Sequence, residues 1–107
     1  MILLKSNNTC RNHPHMTQLL ESEIYGKRRN MGISQYALAE VVGVTRNCIQ
    51  QLECHEHLPR AETVFDMMQA LGFDEDEIVT FLRKYLNAYY KDKALQRERE
   101  KELAGIV

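Results

Sequence analysis

The sequence predicts an all-α fold, on three observations. Apolar residues return at helical spacing in successive blocks: Leu20 and Ile24, then Leu38, Ala39 and Val42, then Val64, Met67, Met68 and Leu71, then Ile78, Phe81, Leu82, Tyr85 and Tyr89. Capping residues and stops punctuate the blocks, with Ser34, Thr45 and Asp74 at openings and Gly43 and Gly72 at ends. At the centre, Gly32 to Glu53 reads as two short helices hinged at one glycine.

That central stretch dictates its own geometry. The Ser34 hydroxyl can accept from an unpaired amide of the opening turn, and Gly43 can take the left-handed backbone that ends a helix. Val44 fills the corner, and Thr45 caps the second helix. Ala39 is small enough for the two helices to approach closely. On the second helix, Thr45, Cys48, Ile49 and Leu52 fall on one arc when residues are placed 100° apart. Arg46, Asn47, Gln50 and Gln51 fall on the other. One guanidinium and three amides in an exposed row are the groups that make paired hydrogen bonds to base edges in a major groove.

Gly32, Ser34-Gln35, Leu38-Ala39, Val42-Gly43-Val44-Thr45, Ile49, Leu52-Glu53, Pro59 and Leu71 together resemble the phage repressor/Cro family of helix-turn-helix domains. The likeness runs from about Met16 to Ile78. It implies a five-helix repressor-like bundle, here with an extended C-terminal helix, that binds double-stranded operator DNA as a homodimer. Arg28 falls where the family has an arginine paired with the glutamate that closes the reading helix, here Glu53. Gln35 falls where the family has a glutamine that contacts phosphate and braces the first residue of the reading helix, here Arg46.

Composition sets the outer bounds. The 107 residues make room for one domain with a modest core. No run approaches the roughly 18 consecutive apolar residues of a membrane span, and Met1 to Leu4 is too short for a signal peptide. A cytoplasmic protein is expected. Three cysteines, at positions 10, 48 and 54, suggest free thiols rather than a disulfide framework. The net charge of −1 is low for a DNA-binding protein. Through Arg60 there are seven Lys/Arg against five Asp/Glu, and from Ala61 onward seven against ten, so the excess acid lies away from the reading helix.

In chain order, residues 1–15 are expected to form a flexible N-terminal arm, because Asn7-Asn8-Thr9, Asn12 and Pro14 favour irregular backbone. Lys5, Arg11, His13 and His15 would be its DNA contacts if it reaches the duplex. The helix-turn-helix domain is expected over 16–86, its first helix running from Met16 or Thr17 to Arg29. The cations that end that helix offset its dipole. Lys27 and Arg29 are candidate phosphate contacts, with Gln35, Thr45, His55, His57 and Arg60.

After Glu53 the family commonly has Asn-Gly, whereas this chain has Cys54-His55-Glu56-His57. His55 must therefore accept a left-handed backbone or reshape the loop. Neither this cluster nor Cys10, His13 and His15 has the spacing of a known zinc site, and no metal or other cofactor is expected. Asp74 to Glu77 has capping-box spacing, and its acids suit a helix opening while repelling DNA. Residues 87–107 read as a C-terminal helical extension and possible dimerisation element. Leu86, Tyr89 and Tyr90 lie beyond the family's core, either as a dimer surface or folded back over helix 1.

No phosphate loop, nucleophile elbow or paired metal motif appears, so no catalytic residue is assigned and an enzyme is not expected. The reading from sequence is a sequence-specific transcriptional regulator, a dimeric repressor. The alternative is a protein-interaction module, an antitoxin or adaptor on the same scaffold.

Overall fold

The computed structural model describes residues 12–106, and among them the chain forms five helices and no strand. α1 begins as Pro14–Leu20, continues through a π-helical turn at Glu21–Tyr25 and ends as Gly26–Asn30. α2 is Gln35–Val42, α3 Arg46–Glu53, α4 Ala61–Ala70 and α5 Glu75–Ile106.

The caps form as their residue types dictate. Ser34 Oγ accepts from the Ala37 amide at 3.0 Å and Thr45 Oγ1 from the Cys48 amide at 3.1 Å. Gly43 ends α2 at φ 89°, and its amide donates to the Ala39 carbonyl at 2.8 Å. The Asp74–Glu77 capping box closes in both directions, at 2.8 and 2.9 Å. Each cap satisfies a helix-end group that would otherwise lack a partner.

One core gathers the five helices. Leu20, Ile24 and Tyr25 from α1, Leu38 and Ala39 from α2, and Ile49 and Leu52 from α3 meet Val64, Met67 and Met68 from α4, Leu71 at the end of α4, and Phe81 from α5. Burying side chains of this size stabilises the fold by about 1.5–3 kcal/mol each.

Two features go beyond the expected pattern. The first is the π turn, where Ile24 and Tyr25, adjacent in sequence, are both fully buried. One extra residue in the turn shifts the helical register, so the buried side before it (Met16, Thr17, Leu20) resumes after it at Arg28. Gly26 accommodates this shift, since a Cβ there would lie 3.1 Å from the Glu21 carbonyl oxygen.

The second concerns both expected boundaries. Pro14 and His15 are not part of an irregular arm but open α1, with Pro14 in the first turn where its missing N–H costs nothing. Of the other expected contacts of the arm, His13 stands at the N-cap of α1, and Lys5 and Arg11 lie outside the described residues. At the far end, no break separates residues 86 and 87, because α5 continues and its buried face extends through Ala88 to Asp92. Asp92 accepts from the backbone amides of His15 at 2.9 Å and Met16 at 3.0 Å. A carboxylate from the last helix thus caps the first.

A candidate nucleic-acid interface

α3 buries Ile49 and Leu52 and half-buries Cys48, which turns Arg46, Asn47, Gln50 and Gln51 outward. All four are exposed, and none makes a side-chain hydrogen bond to another described residue. Thr45 is exposed at the helix opening, and His57 and Arg60 are exposed on the loop that follows.

The closing end of α3 is held by a buried ion pair. Arg28 donates through Nε to Glu53 Oε2 at 2.6 Å and through Nη2 to Oε1 at 2.9 Å, with side chains only 10% and 5% exposed. The third arm of the same guanidinium, Nη1, donates to the Ile33 carbonyl at 2.6 Å. Gln35 Nε2 donates to Glu53 Oε1 at 3.0 Å. Glu53 therefore ties α3 to the end of α1 and the start of α2. A planar guanidinium with several fixed donors can make all these contacts at once, which a lysine cannot.

Several candidate phosphate contacts are placed differently from the sequence expectation. Gln35 turns its amide to Glu53 rather than bracing Arg46, because a buried carboxylate is the stronger acceptor. Arg29 pairs with Glu21 and lies 3.8 Å from Glu53. Lys27 places its ammonium 4.8 Å from the centroid of the Phe73 ring, against the turn between α4 and α5.

His55 is a further correction. It takes the left-handed backbone at φ 63°, and its ring turns inward with the side chain 11% exposed. Nε2 lies 3.4 Å from Glu21 Oε1, and the ring sits 6.3 Å from that of Tyr25. An inward ring cannot reach a phosphate. Burial, reinforced by the nearby Glu53 carboxylate, pushes the Tyr25 phenol far above its ordinary range and keeps it neutral.

A family model for helix-turn-helix domains matches residues 24–78. This chain belongs to that family. It is an XRE-like helix-turn-helix regulator of the Cro/C1 type, a DNA-binding class. Searches of curated proteins and of solved structures return no match. In this regulator the match begins inside the π turn and ends just after α5 opens. The first half of α1 and the rest of α5 lie outside it, and these two segments pack on each other through Asp92.

Two residues of this architecture escaped the sequence reading. Asp92 carried a usable signal, because it continues the buried stripe of Phe81, Tyr85 and Ala88 at helical spacing. A carboxylate at such a position implies a partner. Glu21 carried none, since its role depends on the π turn. Among the described residues, no group of three His, Cys, Asp or Glu side chains is arranged to hold a metal ion, and no helix is long and apolar enough to cross a membrane.

Proposed function

We propose that this regulator is a dimeric, cytoplasmic repressor that reads the major groove of operator DNA with α3. The observation that carries this reading is the open row of Arg46, Asn47, Gln50 and Gln51 on a helix whose other face is locked into the core. Arg46 is suited to guanine O6 and N7, and Asn47, Gln50 and Gln51 to adenine edges. Each good base contact discriminates by about 1–3 kcal/mol.

Thr45 at the opening of α3, with His57 and Arg60 beside it, would fix the helix on the phosphates. Gln35 joins them only if its second amide hydrogen is turned outward while the first stays on Glu53. Few cations are available, which supports a modest salt dependence. The acidic opening of α5 would point away from the duplex. Leu86, Tyr89 and Tyr90 would carry the dimer contact, and two reading helices related by a two-fold axis would demand a palindromic site.

The test is selection of bound DNA from a random pool, repeated at several salt concentrations. The proposal expects a palindrome whose half-site preference depends on Asn47 and Gln51. Enrichment of no sequence above background would overturn it in favour of an interaction module, which the near-neutral charge and the exposed aromatics of α5 would suit.

A further inference from the structure

α5 carries two faces; one packs within the chain, and the other is largely open, with Leu82 at its edge half-buried against the core. Phe81, Tyr85, Ala88 and Asp92 lie on the face that packs against α1. Along the neighbouring face run Val79, Leu86 and Tyr90, which are 43%, 53% and 61% exposed. Large apolar side chains aligned along one helix are seldom left in water.

The order of residues on this face is symmetrical. Stepping along it gives Glu75, Val79, Leu82, Leu86, Tyr90, Lys93 and Arg97, in strides of four, three, four, four, three and four. Strides of this kind keep the stripe nearly parallel to the helix axis over about 33 Å. Leu86 is its midpoint, and the strides read the same in both directions. Two such helices laid antiparallel across Leu86 would therefore bring matching layers together.

The chemistry of those layers is complementary. Leu86 meets Leu86, Leu82 meets Tyr90, and the stem of Lys93 lies over Val79. Glu75 at one end meets Arg97 at the other, twice by symmetry. Tyr89 flanks the seam, with the Lys93 ammonium 5.8 Å from its ring centroid and Tyr90 edge-on at 5.3 Å. A parallel pairing would instead place Glu75 on Glu75 and Arg97 on Arg97, at a cost in both layers.

We infer that the occupant of this face is a second copy of the chain, docked as an antiparallel α5 pair centred on Leu86 and closed by Glu75–Arg97 ion pairs at both ends. The inference rests on the dimeric part of the proposed function and is independent of its DNA part. Such an interface is isologous, so it closes at two subunits and leaves no free surface for further growth.

Sedimentation equilibrium of the full chain without DNA tests it. The wild-type protein is expected to be a dimer. Arg97→Glu should weaken association about tenfold or more, through loss of two ion pairs and gain of two repulsions. The double variant Glu75→Arg/Arg97→Glu should restore it, since each exchanged charge again meets its opposite. Both positions are exposed, and unchanged helicity by circular dichroism would confirm that the variants fold. A monomeric wild-type protein, or a double variant no better than Arg97→Glu, overturns the inference. Because no DNA is present, neither result bears on base reading.

Discussion

His15 turns both its backbone amide and its ring Nδ1 to one oxygen of Asp92, at 2.9 and 2.7 Å, across 77 residues of chain. The other oxygen takes the Met16 amide at 3.0 Å. The carboxylate is 1% exposed. A helix opening ordinarily finds its acceptor in its own N-cap side chain, but His13 provides no side-chain hydrogen bond here. The acceptor comes from the other end of the protein, so ordering α1 and docking α5 become one event.

Asp92→Ala should therefore destabilise the protein by about 2–4 kcal/mol, because it leaves the buried Met16 amide and the part-buried His15 amide without an acceptor. Asp92→Asn keeps one acceptor oxygen but turns its NH2 toward the other donor, so it should recover only part of that loss. Urea denaturation checks this. An Asp92→Ala shift of the size seen at exposed sites would show that the cap contributes little.

The Glu53 carboxylate holds Arg28 and Gln35 together. Glu53→Ala should cost about 3–5 kcal/mol, most of it the penalty of a buried guanidinium left unpaired. Removing the charge from both partners, in Arg28→Met/Glu53→Leu, should recover a large part of that loss. If the double variant is as unstable as the single, the pair matters through shape rather than charge.

His55 separates backbone strain from side-chain contact. His55→Ala loses the ring and keeps the left-handed backbone at φ 63°, whereas His55→Gly loses the ring and relieves that backbone. Glycine should be the more stable of the two by about 1–2 kcal/mol, the cost of this conformation for a residue with a Cβ. Equal melting temperatures would mean that the loop relaxes out of the left-handed region in the alanine variant.

Tyr85 makes stability sensitive to alkali. Burial, then the Asp92 carboxylate, raises its phenol from 10.0 to about 12. The neutral form is favoured in the folded state, so this contribution is fully present below pH 10. It is lost as pH rises from 10 to about 12, where the unfolded chain ionises first. Tyr85→Phe should flatten the fall in unfolding free energy across that window. A fall of unchanged steepness in Tyr85→Phe would assign it to another group.

On the proposed reading face, Asn47→Ala and Gln51→Ala should each erase selection at one base-pair position, at about 1–3 kcal/mol, and leave the unfolding free energy within about 0.5 kcal/mol of wild type. Both side chains are exposed, which is why folding and reading separate here.

Much of the site was legible because it is local. Ser34, Gly43 and Thr45 act on amides and carbonyls three or four residues away, and Ile49 opposes Gln50 and Gln51 through helical period alone. Lys27 and Arg29 were not legible in this way. Both read as free cations, yet Phe73 and Glu21 engage them, and those neighbours are set by packing between elements. Gln35 likewise depends on which acceptor the fold brings closest.

By itself the sequence determined the all-α class, the hinge at Gly43, the caps and the outward row from Arg46 to Gln51, since each follows from backbone bonding and helical period within a few residues. Only the tertiary structure decided the π turn, the inward His55 and the docking of α5 onto α1 through Asp92. Those depend on which distant groups compete for the same buried donor or acceptor, and that competition is resolved only when the helices pack.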